Sequence, residues 1–359
     1  MGVGAGLLMT GGTAEAAPAT KRVFFGAYTT WSGGAKGIGI GTYDTANGQL
    51  KTTGVISGVV NPSFVVESRD GRFLYAVNEN TKGEVTALNA ATLKVINKQA
   101  TGGADPCHLT LDPSGKFLIT ADYSSGSLSV FPVNPDGSLG ARTQKVQHKG
   151  SGPDPERQEG PHAHQIVFDP SGRFAAAVDL GADAVFVYSF TGGQLKLVST
   201  AKFKPGAGPR HIAFHPGGRT AYVANELDST IVVCAYADGK LTPGQVLKTA
   251  PATSVRNYPA EVLVSGDGKH VYLSNRGHDS IAHFTVTATG LSLVGHTPTG
   301  GKYPRHAVLD PSGAFLFAAN QNSNNVTSFA VDRATGKLTP SGTPLTTAIP
   351  VCVLPTRLG

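Results

Sequence analysis

One pattern recurs six times along this chain of 359 residues. Each copy consists of a proline, an apolar run, a turn that reads Asp-Pro-Ser-Gly or a variant of it, and a second apolar run that ends at Asn or Asp. The turn glycines lie 44 to 57 residues apart, at Gly71, Gly115, Gly172, Gly218, Gly268 and Gly313. A strand-containing repeat of about 40–50 residues is typical of the blades of a β-propeller.

Each copy of the repeat predicts a β-hairpin, because β-branched and aromatic residues flank a turn rich in Asp, Pro, Ser and Gly. One or two further strand patterns follow, such as residues 184–190 and 195–203, so that a repeat holds the roughly four strands of a blade. No helical periodicity intervenes, which argues against a βαβ architecture. The 46 Gly and 23 Pro suit a turn-dense fold, and the 15% of charged residues exclude a long charged coiled coil.

The two ends of the chain supply the parts of a seventh blade. Residues 350–355 match the first strand of the repeat, and residues 23–29 match the second. Strands from both ends that share one blade close the ring and leave no free sheet edge. We therefore predict an all-β fold, a single seven-bladed β-propeller over residues 20–359. Six blades with a separate terminal hairpin are the alternative.

Residues 1–19 differ from the rest of the chain. They are small and apolar, and Ala14-Glu15-Ala16 fits a small-x-small cleavage site, although the basic segment that usually opens a signal peptide is missing. This predicts a signal-peptide-like segment and an exported protein, either secreted or held in the periplasm or cell envelope. Without export the protein would be cytoplasmic, and sequencing the N-terminus of the mature protein would distinguish the two.

The net charge of +6 is spread thinly, with no basic run longer than Lys21-Arg22. A nucleic-acid binder usually concentrates its basic residues in a stripe, and no apolar stretch approaches the ~18–20 residues that span a bilayer. We therefore expect neither nucleic acid nor membrane as a partner, and a monomer, because a closed ring has no edge that demands a partner. The three cysteines are odd in number and widely spaced, which favours small buried side chains over disulfides.

Two sets of positions should converge at one rim of the propeller channel: those just after the proline and those just after the Asn or Asp. The Asn/Asp position is nearly constant and is expected to cap a turn. Positions that vary between repeats are better functional candidates. They gather arginines, histidines and glutamates, namely Arg210, Arg276, Arg305, His108, His162, His211, His306, Glu79, Glu226 and Glu261.

This set of residues suits the binding of an anion and the transfer of protons. The planar fork of a guanidinium matches a carboxylate or phosphate, and a histidine beside a carboxylate can act as acid or base near neutral pH. An ion-pair network that pins neighbouring blades together is the alternative. His162 and His164 point to the same side of a strand, but no third ligand has a spacing that specifies zinc, so we expect no metal. Gly-x-Ser-x-Gly is absent, which argues against a serine nucleophile.

Three segments resemble the seven-bladed propeller lactonase family: GPHAHQIVFDPSGRF (160–174), GPRHIAFHPGGRTAYVANEL (208–227) and SNRGHDSIAHF (274–284). That family includes propeller-type 6-phosphogluconolactonases and carboxy-cis,cis-muconate cyclases, and the resemblance covers the chain after residue 20. It implies a catalytic site at the channel mouth that consists of His162, Arg210, Glu226 and Arg276. Around them we place five candidate substrate-binding residues: His164, His211, Glu261, Arg305 and His306.

The resemblance implies a lactone hydrolase that needs no cofactor. The arginines would hold an anionic sugar-type lactone and stabilise the charge that develops on its carbonyl oxygen. His162 or Glu226 would activate water or pass a proton to the leaving ring oxygen. Two alternatives remain open at this point: a non-catalytic exported binding module, and a muconate-type cyclase or isomerase.

Overall fold

The computed structural model describes residues 19–252 and 255–357, which form seven four-stranded antiparallel sheets arranged as the blades of a propeller. This confirms the predicted fold. Residues 1–18, which hold nearly all of the signal-peptide-like segment, lie outside the described residues, so export stays a prediction. Within the described ranges, no helix is long or apolar enough to cross a membrane.

Six blades run in chain order from the channel outwards. Blade 2 consists of β4 (Val65–Glu67), β5 (Phe73–Asn78), β6 (Glu84–Asn89) and β7 (Val95–Ala100). Blade 3 consists of β8 (Pro106–Leu111), β9 (Phe117–Asp122), β10 (Ser127–Pro132) and β11 (Gln144–Gln147). Blade 4 consists of β12 (Ala163–Phe168), β13 (Phe174–Asp179), β14 (Ala184–Thr191) and β15 (Gln194–Lys202). Blade 5 consists of β16 (Pro209–Phe214), β17 (Thr220–Asn225), β18 (Thr230–Ala237) and β19 (Lys240–Lys248).

Blade 6 consists of β20 (Tyr258–Val264), β21 (His270–Arg276), β22 (Ser280–Thr287) and β23 (Gly290–Pro298). Blade 7 consists of β24 (Pro304–Leu309), β25 (Phe315–Asn320), β26 (Asn325–Val331) and β27 (Leu338–Thr346). A single turn of 3₁₀ helix, Gln321–Ser323, is the one helical segment in the described part of the chain.

Blade 1 is shared by the two ends of the chain. Its strands are, from the channel outwards, β28 (Pro350–Pro355), β1 (Thr20–Ala27), β2 (Gly37–Asp44) and β3 (Leu50–Ser57). β28 pairs antiparallel with β1, with Val23 opposite Pro355 and Gly26 opposite Cys352. The last strand of the chain therefore lines the channel and closes the ring, as the sequence predicted.

The core lies between neighbouring blades, because each middle strand is buried on both faces. In β5, Leu74 and Ala76 pack against blade 1, whereas Tyr75 and Val77 pack against blade 3. This alternation follows from the period of two along a β-strand. Removal of both apolar faces from water holds adjacent blades together.

In blades 2–7, the Asp-Pro-Ser-Gly turn or its variant closes the first hairpin at the rim opposite the strand starts. In blade 3, one oxygen of Asp112 accepts the Phe117 N–H at 2.8 Å and the other accepts the Ser114 hydroxyl at 2.6 Å. Gly115 completes the turn at φ 70°, a conformation that favours glycine. The turn therefore fixes the register of the two strands that lead to the opposite rim.

The nearly constant Asn and Asp side chains at the end of each second strand are buried. Four of them bond to the third strand of their own blade, whereas the predicted capping of the following turn is seen at Asp179, which accepts the Ala182 N–H at 2.9 Å. Asn78 and Asn275 also bond to the segment that precedes their blade. Thr86 donates to Asn78 at 2.6 Å, while the Asn78 amide donates to the Val60 carbonyl at 2.7 Å. These contacts fix the end of the second strand, which is where the next residue enters the channel mouth.

Six of the seven inner strands carry a β-bulge near their start. A bulged residue leaves the hydrogen-bond ladder, so its side chain is re-aimed. Five bulged residues line the channel: Cys107, His164, Arg210, Arg305 and Val351. The bulges thus put chemically different side chains at equivalent places around one ring.

Candidate active site

An open cavity of about 360 Å³ lies at the channel rim where the inner strands begin. All seven blades contribute to its wall: Tyr28, Trp31, Glu79, Cys107, Tyr123, Arg157, His164, Glu226, Arg276, Tyr303 and Arg305. A much smaller cavity within the channel shares three of these residues and is lined as well by Arg210, His211 and His306. The ring therefore brings distant parts of the chain to one mouth.

Glu226 is part of this wall, directly after β17, and is 4% exposed. Its Oε2 is 2.5 Å from Nη2 of Arg276 and 3.2 Å from Nε of Arg210, and its Oε1 accepts a hydrogen bond from Nη2 of Arg157 at 2.7 Å. Burial raises the pKa of Glu226, but the three guanidinium groups outweigh burial and hold this pKa well below its usual value. The carboxylate is therefore ionised at neutral pH.

Arg210 is 2% exposed and has N–H groups without a partner. Its contact with Glu226 is an ion pair without hydrogen-bond geometry, and neither Nε nor Nη1 donates to any described residue. Burial, together with Arg276 and Arg305, lowers the pKa of Arg210 to about 9. Buried donors are usually paired, so these N–H groups are suited to an acceptor that enters the channel mouth.

Arg276 is held more firmly than Arg210. Its Nε donates to the Tyr258 carbonyl at 3.1 Å, and its Nη2 donates to the Pro259 carbonyl at 3.2 Å. The guanidinium also lies 5.2 Å from the centroid of the Tyr303 ring, within the range of a cation–π contact. The position of this charge is therefore set before any ligand arrives.

The two candidate histidines on either side of Ala163 have different environments. The His164 ring lines the cavity, and its buried Nδ1 has no hydrogen-bond partner among the described residues. Burial, with Arg210 as the next cause, lowers the pKa of His164 well below its usual value.

His162 instead stacks on the Tyr123 ring, with the ring centroids 4.6 Å apart. Its Nδ1 is 3.1 Å from the Tyr123 carbonyl oxygen, and its Nε2 is 3.1 Å from Glu159. Tyr123 lies on the cavity wall, so the structure brings His164 to the cavity and leaves His162 behind Tyr123.

Counting from the proline of each repeat selects His162 as the equivalent position in blade 4. That choice is displaced because blade 4 has two extra residues between its proline and its turn. In the β12–β13 pairing, His164 is the bulged residue, and the next residue, Gln165, is opposite Val178. In blade 5, Arg210 is the bulged residue, and His211 is opposite Ala224. Equivalent positions are found by counting back from the turn glycine, which pairs His164 with Arg210.

The remaining candidates lie deeper in the channel or at its far wall. Glu261 contacts two histidines: its Oε1 is 3.0 Å from His211 Nδ1 and its Oε2 is 3.5 Å from His306 Nε2. Burial raises the pKa of Glu261 and lowers the pKa of His306 to about 4.

Arg305 lies at the other side of the mouth from Glu226. Its Nη2 is 3.7 Å from Oε1 of Glu79. Within the described ranges, no three His, Cys, Asp or Glu side chains are arranged to hold a metal ion.

Arg157 lies between β11 and β12 and is part of the cavity wall, although it was not among the predicted site residues. This part of the chain belongs to no repeated position. The available signal was the 57-residue interval between Gly115 and Gly172, the longest between turn glycines. An insertion of this kind is where loops acquire functional residues.

The family model "Lactonase, 7-bladed beta-propeller" matches residues 22–355. A Bacillus subtilis protein named 6-phosphogluconolactonase is 37% identical over 340 residues, which cover 92% of this chain and 97% of that protein. A Formosa agariphila protein of the same name is 36% identical over 335 residues, 88% of this chain and 94% of that one. The structure of a periplasmic gluconolactonase from Pseudomonas aeruginosa has a TM-score of 0.86 at 31% identity and covers 93% of this chain and 98% of its own. The similarity extends over the whole ring.

Proposed function

Since the chain belongs to the seven-bladed β-propeller lactonase family, we propose that it opens an anionic sugar-type lactone, such as 6-phosphogluconolactone, by attack of water. Relatives named 6-phosphogluconolactonase and gluconolactonase support the reaction class. One observation in this chain carries the proposal. The cavity and the channel below it combine unpartnered cationic donors on Arg210, a fixed Arg276 and an unpartnered imidazole nitrogen on His164.

The first role we propose is stabilisation of the oxyanion. Attack of water on the lactone carbonyl carbon places negative charge on the carbonyl oxygen. Preorganised donors in a site from which water is largely excluded stabilise that charge without reorganisation. The free N–H groups of Arg210 and the guanidinium of Arg276 fill this role, with Glu226 keeping the two cations side by side.

The second role is proton transfer, and we assign it to His164. Glu226 is a poor proton acceptor because arginines hold both of its oxygens. His164 is neutral at neutral pH, so it can take a proton from the attacking water. The ring C–O bond then breaks, and the same proton passes to the departing ring oxygen, which gives the hydroxy acid. His162 is proposed to position Tyr123.

A hydrolysis screen tests the function. Wild-type protein should open δ-lactones that carry a phosphate or carboxylate faster than the spontaneous reaction. The Arg210→Ala/Arg276→Ala double variant should lose at least about 10²–10³-fold in kcat, the usual effect of losing an oxyanion donor. Arg173→Ala is the matched control, because Arg173 forms an exposed ion pair with Asp238 away from the cavity. Equal, background-level ring opening by wild type and double variant would refute the proposal. Conversion of an unsaturated dicarboxylate without net hydrolysis would favour a cyclase.

A further inference from the structure

The longest connection between described strands joins β11 to β12 across residues 148–162. It crosses the rim of blade 4 and carries Arg157 into the cavity wall. The roles proposed above for Arg210, Arg276 and His164 do not use it. Long loops without secondary structure in a compact fold are often functional, which makes the contacts of this one informative.

The loop is fixed at both ends and in the middle. Oδ2 of Asp179 is 2.7 Å from Nδ1 of His148, and Oδ1 of the same carboxyl accepts the backbone N–H of His162 at 2.8 Å. Gln158 is completely buried, and its amide donates to the Leu180 carbonyl at 2.8 Å. Because both ends of the loop meet at one carboxylate and the residue after Arg157 is locked, Arg157 is held in place before a ligand binds.

The guanidinium of Arg157 is only partly used by the protein. Its Nη2 donates to Glu226 at 2.7 Å and to the Tyr123 hydroxyl at 3.2 Å. Its Nε and Nη1 make no hydrogen bond with any described residue, and the side chain is 35% exposed, whereas the side chain of Arg276 is 4% exposed. Two buried arginines already neutralise Glu226, so Arg157 is a surplus cation on the open side of the cavity.

Arg305, the third arginine on the cavity wall beside Arg157 and Arg276, makes no hydrogen bond with any described residue, but its side chain is 18% exposed, against 35% for Arg157. Glu79 lies 3.7 Å from it, and its guanidinium is 5.6 Å from the centroid of the Tyr28 ring. The Tyr28 hydroxyl also donates to Glu79 at 2.8 Å, which fixes that carboxylate beside Arg305. Among the arginines of the cavity wall, Arg157 therefore offers the most accessible unpaired N–H groups to an anionic group at the outer side of the cavity.

We propose that Arg157 is the specificity-determining residue of this site and that its free N–H groups bind the anionic substituent of the lactone. This rests on the proposed lactonase function. The chemistry is shared by a phosphate and a carboxylate, both of which fit the guanidinium fork. Arg157 acts on substrate binding, while Arg210, Arg276 and His164 act at the carbonyl.

The experiment compares lactones that share a ring and differ in charge: glucono-δ-lactone, its 6-phosphate and its 6-carboxylate. Arg157→Gln should raise KM for whichever anionic lactone the wild type prefers by about 10–100-fold, the effect of losing a hydrogen bond to a charged group. The kcat/KM for the neutral lactone should change by less than about threefold. Arg157→Lys should recover part of the loss, because it keeps the charge without the fork. Arg173→Gln removes one exposed positive charge elsewhere. It should change neither the KM for the anionic lactone nor the kcat/KM for the neutral lactone.

Two results would overturn the proposal for Arg157. Equal losses on charged and neutral lactones would show that Arg157 only supports Glu226, and no loss on either would show that the anion binds elsewhere. If the wild type opens none of these lactones, it is the lactonase function that fails. Calorimetric titration with 6-phosphogluconate then still tests the anion site. If Arg157 binds the anion, 6-phosphogluconate should bind to the wild type and should not bind to Arg157→Gln. Thermal melting of every variant verifies folding.

Discussion

At the residue scale, the environment of each channel side chain decides its protonation state. Burial lowers the pKa of His108, His164 and His211 well below the usual value, with neighbouring charges as smaller causes. Glu226 is buried as well, but three arginines keep it ionised. Groups whose pKa values are pushed apart in one site are suited to different roles. The channel therefore presents neutral imidazoles beside a carboxylate that holds cations in place.

The pH dependence of lactone opening tests the role of His164. A base must be unprotonated, so activity falls as the pH drops through its pKa, and the lowered pKa of His164 places the acid limb of kcat/KM below about pH 6.5. His164→Gln should cost about 10²–10⁴-fold, the usual effect of losing a general base. His162→Gln serves as the comparison and should cost less. An acid limb at or above pH 6.5, or a larger loss in His162→Gln, would contradict the assignment.

At the element scale, the bulge at the start of the inner strands determines which side chains reach the mouth. The same ladder pattern recurs in blades 3, 4, 5 and 7, yet its bulged residue is Cys107, His164, Arg210 or Arg305. The backbone geometry is thus constant while the chemistry varies. The residue that follows the second strand of a blade can pair with the bulged residue. In blade 5, Glu226 follows β17 and forms an ion pair with Arg210.

The end of β9 offers a test of how these strands are braced. Asp122 is fully buried and accepts hydrogen bonds from Thr120, Ser127 and Ser129. Burial raises the pKa of Asp122 to about 6, against these hydrogen bonds, which lower it. Because folding raises this pKa, the contribution of Asp122 to the free energy of unfolding is fully present below about pH 4. That contribution is lost as the pH rises through about 6, and the loss amounts to roughly 3 kcal/mol.

Wild-type protein should therefore lose stability relative to Asp122→Asn between pH 4.5 and pH 7.5. Asparagine is the residue at the equivalent place in blade 5, Asn225, so the substitution fits the fold. Thermal melting of both proteins across this pH range measures the difference. Parallel melting curves for the two proteins at all pH values would contradict the raised pKa.

At the scale of the whole molecule, one strand from the C-terminal end completes the ring. β28 buries Val351, Cys352 and Val353 against the channel and its neighbours. In the same core, Phe25 of blade 1 packs with Phe317 of blade 7. The cavity contains residues from every blade, so its geometry depends on closure.

Deletion of residues 350–359 should open the ring. The inner edge of β1 would lose its partner, the apolar surface under β28 would be exposed to water, and the melting temperature should fall by more than about 10 °C or the protein should aggregate. Deletion of residues 358–359 alone is the control. A synthetic peptide of residues 349–357 should restore stability in a concentration-dependent manner, as binding to the folded state requires. A truncated protein that stays monomeric with an unchanged melting temperature would contradict this role of β28.

The amino-acid sequence by itself determined the repeat, the hairpins, the number of blades and the sharing of blade 1, because these follow from local patterning and turn residues. It also indicated Arg210, Glu226 and Arg276, since repeated positions map to one rim. The two-residue insertion in blade 4 is already present in the sequence, but the tertiary structure was needed to show that it brings His164 and not His162 to the cavity wall. The tertiary structure alone brought Arg157 to Glu226, 69 positions away along the chain. Proximity between distant segments and the burial that shifts pKa values arise only when the ring closes, and no local pattern encodes them.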